Sequence, residues 1–275
     1  VVIPTYNNDK TIKTVVEKCL LYCDDVIVVT DGCTDRTTDI LHAIDGITIV
    51  SYPQNRGKGY ALKMGFRRAL EMGFSYAITL DGDGQHYPED IPLFLKANQQ
   101  HPQSLIIGSR QLEGVDRSKG SSFANKFSNF WFYVQTGRAL PDTQTGYRLY
   151  PLHRLHGLSL LTSRYEAELE LLVFASWHGV KLVPIPVQVY YPPRNERVSH
   201  FRPGKDFARI SVLNTVLCFL AVVYGLPLRL CRALMTILRT AYSLLFFLFF
   251  TLVVFTPFVW IYTKFGKMTE RRRYR

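Results

Sequence analysis

Leu80-Asp81-Gly82-Asp83-Gly84-Gln85-His86-Tyr87-Pro88-Glu89-Asp90 is the stretch from which the rest of the chain is read. Tyr76-Ala77-Ile78-Thr79 leads into it as a short apolar, β-prone run. A strand is therefore expected to end where two carboxylates, one residue apart, sit on a glycine-flanked turn. Side chains two apart on an extended chain point the same way, so Asp81 and Asp83 are expected to face one point. Paired hard oxygen ligands suit Mg²⁺ or Mn²⁺, ions that keep positions open for the phosphates of a substrate. Pro88 is expected to open a helix, with Glu89 and Asp90 in its first turn. A bare D-x-D pattern is by itself an ordinary solvated turn; its surroundings decide how it is read.

Working outward, residues 1–4 read as a buried strand that stops in Thr5-Tyr6-Asn7-Asn8, and a helix is expected over about 10–21. A second strand, 25–30, ends at Asp31-Gly32-Cys33-Thr34-Asp35, with a helix to follow. A short strand over 47–51 comes next, and then Gly57-Lys58-Gly59 opens a helix to about Met72. Strands alternating with helices imply an α/β fold, a mostly parallel sheet with helices on both faces. Ligands of such sheets bind beyond the carboxyl ends of the strands. Three strands here each end in a polar cluster, so one rim gathers Tyr6, Asp31, Asp35, Asp81 and Asp83. A dinucleotide-binding domain would place G-x-G-x-x-G after the first strand, which ends instead in Pro4-Thr5-Tyr6-Asn7; no G-x-x-x-x-G-K-[ST] occurs either.

Taken in order, P-T-Y-N, D-G-C-T-D, N-R-G-K-G and D-G-D-G-Q-H-Y-P resemble the family 2 glycosyltransferases of GT-A fold. Among these the chain is most similar to the polyprenyl-phosphate and dolichyl-phosphate hexosyltransferases, the dolichyl-phosphate mannose synthase group, over about residues 1–210. The resemblance implies that Pro4, Tyr6 and Asp31 hold the nucleoside of a nucleotide-sugar donor. It implies further that Asp81 and Asp83 hold the metal on the diphosphate, with Gln85 beside them. Asn8 stands where similar enzymes have Glu, which leaves the ribose contact and the identity of the base open. In similar enzymes the arginine matching Arg110, just after an expected strand over 104–108, faces the phosphates. Asp142-Thr143-Gln144-Thr145-Gly146-Tyr147-Arg148 resembles the family's acceptor-loop segment, which would put Asp142 and Gln144 near the sugar and Arg148 near the acceptor. Related enzymes close a basic R-x-x-G-x-S-[KR] loop on the donor, for which Arg197, Ser199, Arg202 and Lys205 are the candidates. Here no Gly lies between Arg197 and Ser199.

Residues 121–136 carry apolar side chains at helical spacing and read either as a core helix or as a helix at a membrane surface. A helix over 165–172 begins with Glu166 and Glu168, which suits its dipole. Residues 180–191, with two prolines, read as an edge strand. The loop 194–205 is expected to be mobile without donor and to order on the metal–diphosphate complex. Two apolar segments close the chain, 210–228 and 241–262; the second, about 22 residues or ~33 Å of helix, is long enough to span a bilayer. An arginine-bearing turn over 229–239 is expected between them.

The net charge of +11 is concentrated around this apolar end, at Arg229, Arg232, Arg239, Lys264, Lys267 and Arg271-Arg272-Arg273. Basic residues beside an apolar segment favour an anionic membrane surface over nucleic acid. Five cysteines with no C-x-x-C pair give neither a zinc site nor a disulfide framework. The chain opens without Met, inside a strand-like run with no signal-peptide pattern, and reads as a fragment of a longer protein. The expected division is a catalytic domain over 1–205, a membrane-associated helical hairpin over 206–264 and a basic tail over 265–275. The positive-inside rule puts the catalytic domain on the cytoplasmic face.

The expected activity is inverting transfer of a hexose from a nucleotide sugar to a polyprenyl phosphate, with Asp83, Asp142, Arg110 and Arg202 as catalytic candidates. Two alternatives stand beside it. One is transfer to a lipid hydroxyl, which needs a base, with Asp142 the sole candidate. The other is an inactive nucleotide-binding scaffold.

Overall fold

The computed structural model describes residues 1–110, 119–155, 160–191, 203–251 and 256, apart from the side chains of 119–122, 203 and 205. Seven strands form one sheet: β1 (Val2–Thr5), β2 (Val26–Asp31), β3 (Ile47–Tyr52), β4 (Tyr76–Thr79), β5 (Leu105–Arg110), β6 (Arg148–Pro151) and β7 (Leu182–Val187), in the order β3-β2-β1-β4-β6-β5-β7. The pairs β1–β2, β2–β3, β1–β4 and β5–β7 are parallel. Every residue of β1 and β2 is buried, which is why both read as unbroken apolar runs rather than as alternating ones. β7 is an edge strand, and its Pro184 and Pro186 suit a position with one unpaired side.

The helices are α1 (Ile12–Leu20), α2 (Thr37–His42), α3 (Lys58–Glu71), α4 (Ile91–Gln100), α5 (Lys119–Thr136), α6 (Leu152–Leu155), α7 (Glu166–Trp177), α8 (Pro203–Leu220) and α9 (Leu226–Phe249). The expected Pro88 helix starts as a 3-10 turn, Pro88–Asp90, leading into α4. α1 buries Ile12, Val15, Val16 and Cys19, the i, i+3, i+4, i+7 stripe of an amphipathic helix. α3 lies close on the sheet because its inner face is small: a Cβ on Gly65 would stand 2.4 Å from Val2 Cγ1. The core gathers Ile3, Val28, Ile78, Leu80, Phe94, Ile106, Tyr147 and Leu149 between the layers.

Two features depart from the sequence reading. β6 inserts antiparallel between β4 and β5, where residues 142–148 read chiefly as a loop. α7 is buried almost all round, including Glu166, Glu168 and Glu170, whose carboxylates suggested no more than favourable helix-end charges.

The chain divides into two compact units between Gly225 and Leu226. α8 therefore belongs to the first unit, past the expected domain limit at 205; it buries Leu213, Asn214 and Leu217 and packs on α5 and α7. In the second unit, α9 carries residues 229–239 as regular helix, not as the expected turn, and none of its side chains is buried. By length and composition the helical residues Asp206–Phe249 can cross a membrane. Of the second expected apolar segment, 241–251 and 256 lie within the described residues.

Candidate active site

The aligned strand ends open onto a cleft of about 670 Å³. Its sheet side is lined by Pro4, Thr5, Tyr6 and Asn8 after β1, by Asp31 at the end of β2, and by Asp81, Gly82, Asp83 and Gln85 after β4. Asn55, Gly57, Lys58, Arg164, Tyr165, Asp206 and Arg209 line the rest of it.

The carboxylate turn is braced from below. Thr11 Oγ1 donates to Gly82 O at 2.7 Å, and the backbone N–H of Asp81 donates to His86 Nδ1 at 3.3 Å. That acceptor role fixes the neutral tautomer of His86. Burial pushes its pKa down to about 4, against the pull of Asp81. Lys58 Nζ lies 2.6 Å from Asp81 Oδ1 and 2.9 Å from Glu168 Oε2. Burial works against both charges, yet the pair sustains itself: Asp81 is held below the usual carboxylate range and Lys58 above the usual lysine value. Among the described residues no ammonium or guanidinium pairs with Asp83 in this way. Its Oδ1 accepts the backbone N–H of Gln85 at 3.0 Å, and burial together with neighbouring Asp81 pushes its pKa up to about 6.

Comparison with known proteins places this arrangement. The family model described as Glycosyl transferase family 2 matches residues 1–150. The chain belongs to glycosyl transferase family 2. As a glycosyltransferase it has relatives with named lipid-phosphate substrates. It is 28% identical over 213 residues to the UDP-N-acetylglucosamine–dolichyl-phosphate N-acetylglucosaminyltransferase of Methanococcus voltae, covering 69% of this chain and 84% of that one. It is 29% identical over 204 residues to the polyprenol monophosphomannose synthase of Mycolicibacterium smegmatis, covering 68% and 75%. Glucosyl-3-phosphoglycerate synthase from Mycobacterium tuberculosis, solved with Mn²⁺, UDP and phosphoglyceric acid, shares the fold at TM-score 0.60 and 18% identity over 80% of this chain and 76% of that one.

The glycosyltransferase cleft brings together Pro4, Tyr6, Asn8, Asp31, Asp81, Asp83 and Gln85, all anticipated from sequence. Two of them are engaged differently than expected. The carboxylate of Asp31, 3% exposed, accepts the N–H of Arg56 at 2.7 Å and that of Gly57 at 2.8 Å, one on each oxygen. It braces the loop that delivers Asn55 and Lys58 to the cleft. Asn8 donates from its side chain to Thr5 Oγ1 at 3.0 Å and from its backbone to Thr37 Oγ1 at 2.9 Å, tying the first loop to α2.

Arg110 and Asp142 are not among the residues that line the cleft. Arg110 Nε donates to Asp142 Oδ2 at 2.6 Å and its NH2 to Oδ1 at 2.9 Å, a two-pronged pair in which Asp142 is 1% exposed. Asp142 also accepts the N–H of Gln144 at 3.1 Å. A carboxylate so engaged is a poor fit to the expected base, because every proton it gained would cost charge-assisted bonds. Arg148, expected near the acceptor, is fully buried and donates to Thr143 O, Glu168 O and the Tyr150 hydroxyl. Arg197 and Arg202 lie outside the described residues, and of Lys205 only the backbone, in the first turn of α8, is described.

Sequence reading missed Asn55, Arg164, Tyr165, Asp206 and Arg209, and gave Lys58 no function. Arg164 reaches the cleft because the segment before α7 is strapped down. Glu170 accepts the N–H groups of Leu161 and Thr162, Ser163 O accepts the N–H of Tyr60 at 2.8 Å, and Arg164 NH1 donates to Asn55 Oδ1 at 3.3 Å. The N-R-G-K-G motif carried a signal for Lys58, since a lysine opening a helix at the strand-end rim is placed for chemistry.

A divalent cation fits the turn. Among the described residues Asp83 forms no ion pair, its pKa is raised by burial and by Asp81, and no third His, Cys, Asp or Glu completes a closed ligand set. Two protein carboxylates with open positions are what an ion shared with substrate phosphates requires.

Proposed function

We propose that the chain is a membrane-bound inverting glycosyltransferase that moves a hexose from a nucleotide sugar to a polyprenyl-phosphate acceptor. The observation that carries the choice of acceptor is the Arg110–Asp142 pair. A hydroxyl acceptor must lose a proton to a base, and the residue expected to take it is buried and held by arginine. A phosphate monoester is already an anion and needs no base. The M. voltae relative, named for transfer to dolichyl phosphate, and the M. smegmatis relative, named for a polyprenol monophosphomannose product, support the same choice.

Asp81 and Asp83 would hold Mg²⁺ or Mn²⁺, which would neutralise charge on the leaving nucleoside diphosphate. Lys58, Arg164 and Arg209 add positive charge along the cleft. In the transfer, the bond from the anomeric carbon to the diphosphate oxygen breaks as an acceptor phosphate oxygen bonds the opposite face. No proton changes hands.

Membrane attachment is supported by the outer faces of α5 and α8, where Phe123, Phe130, Tyr133, Val212 and Phe219 are exposed, and by the apolar helical residues that follow. With both apolar segments crossing, Arg271, Arg272 and Arg273 share a side with the catalytic domain, which the positive-inside rule makes cytoplasmic.

The test is transfer from a panel of labelled nucleotide sugars to a polyprenyl phosphate in detergent, followed by mild acid. The expected product releases its sugar in acid, and Asp83→Ala lowers transfer by about 10³-fold. An acid-stable product formed on a lipid hydroxyl overturns the acceptor. Full turnover by Asp83→Ala, or in EDTA, overturns the metal site.

A further inference from the structure

Lys58 occupies Asp81. Its ammonium sits 2.6 Å from Asp81 Oδ1, on the side of the turn that faces Gly146. A Cβ at Gly146 would stand 2.6 Å from Lys58 Nζ and 2.8 Å from Asp81 Oδ2, so a side chain there would shift this contact. The same ammonium has a second seat. Glu168, from buried α7, meets it with Oε2 at 2.9 Å, while Glu168 Oε1 is buried with no hydrogen-bond partner. One cation thus lies between two carboxylates, of which one, Asp81, lies on the D-x-D turn.

Lysine suits exchange. It is a point charge on a flexible stem with three donors, whereas arginine locks into a planar fork. With Lys58 on Asp81, the turn already carries a positive charge where a divalent cation would bind, and a cation arriving alone meets repulsion. A nucleoside diphosphate arriving with the cation brings negative charge enough to draw the ammonium away, and Glu168 keeps a carboxylate for it.

We propose that Lys58 is a positioning residue that couples cation binding to diphosphate binding: it holds Asp81 when the donor is absent and leaves it for Glu168 and the diphosphate when cation and nucleotide enter together. The inference rests on the reading of Asp81 and Asp83 as cation ligands. Its consequence is thermodynamic. The nucleotide strengthens cation binding and the cation strengthens nucleotide binding by the same factor.

The experiment titrates Mn²⁺ into the full chain in detergent micelles, following free Mn²⁺ by its electron paramagnetic resonance signal, alone and with saturating GDP or UDP. In the wild type the effective nucleotide should tighten Mn²⁺ binding by about 10- to 100-fold. Lys58→Met should bind Mn²⁺ alone about tenfold more tightly and keep less than about threefold of the nucleotide effect. Glu168→Gln, which leaves Lys58 only Asp81, should bind Mn²⁺ alone more weakly and keep the nucleotide effect. In the Lys58→Met background, Glu168→Gln should change nothing, because Glu168 acts through Lys58. Unchanged Mn²⁺ affinity in Lys58→Met overturns the coupling, as does additivity of the two substitutions. Should Lys58→Met fail to fold, an unchanged Mn²⁺ affinity in Glu168→Gln overturns it. A wild type that binds no Mn²⁺ in any arm, or an Asp83→Asn variant that binds it normally, overturns the metal reading itself.

Discussion

Two carboxylates near this site each meet a basic side chain at 2.6 Å, Asp81 with Lys58 and Asp142 with Arg110. Equal distances conceal opposite designs. Asp142 is 1% exposed and takes two prongs of a guanidinium plus the N–H of Gln144. Asp81 lies in an open cleft, its side chain 26% exposed, and meets a lysine shared with Glu168. The first pair is built to stay and the second to part. A fork matched to a carboxylate on both prongs leaves little to gain by moving, whereas a shared ammonium can leave one partner and remain paired.

Breaking the fixed pair should have the largest effect on the fold. Asp142→Asn leaves the Arg110 charge, its side chain 16% exposed, without a carboxylate, and the loss should fall at the low end of the about 3–5 kcal/mol of a fully buried pair. Chemical denaturation of the detergent-solubilised protein measures it. A loss below about 1 kcal/mol, joined to a collapse of transfer, would reinstate Asp142 as a base and erase the contrast.

The contrast also marks how far the sequence could be read. The alternation of strands and helices gave the sheet, and the polar clusters after β1, β2 and β4 gave one rim of the cleft, because both follow from periodicity and turn chemistry. What could not be read is tertiary. Nothing local in residues 148–151 announces an antiparallel strand inserted between β4 and β5. Glu166 and Glu168 look like favourable helix-end charges until α7 proves to be buried. The partner of Asp142 lies 32 residues away, so its engagement had no local signature. The flank formed by Arg164, Asp206 and Arg209 depends on packing between α3, α7 and α8, which no spacing in the chain encodes.

Asp83 sharpens the comparison, because among the described residues it forms no ion pair. Its folded pKa, about 6, lies above the ordinary value of 3.8. The folded state therefore binds this proton more tightly than the unfolded state does. The stability it contributes is full below pH 4, is lost as pH rises towards 6, and stays lost above. The shift corresponds to at most about 3 kcal/mol, which partial solvent access trims to about 1–2. In EDTA, Asp83→Asn should accordingly be more stable than the wild type by that amount at pH 7 and no more stable at pH 4. Equal melting at pH 7 would mean that the empty turn carries no such electrostatic tension.

Asp31 supplies the smallest and most discriminating change. It stands on the same rim as Asp83, lines the same cleft, and was expected to hold the nucleoside. Its two oxygens accept the N–H groups of Arg56 and Gly57, a use that an amide cannot reproduce, since the NH₂ of Asn would face an N–H donor. Gly57 follows with φ +98°, a conformation that gives the loop few other ways to close. If Asp31 is a brace, Asp31→Asn should lower thermal stability by about 1–2 kcal/mol with no ligand present. It should also raise the KM for donor while kcat changes little, because Lys58 and Asn55 would be presented less accurately but the reacting groups remain. If Asp31 is instead a nucleoside ligand, stability without ligand should be unchanged, and the KM penalty should differ between donors carrying different bases. Melting curves of the unliganded variant therefore separate a carboxylate committed to the chain, like Asp142, from one held for a substrate, like Asp83.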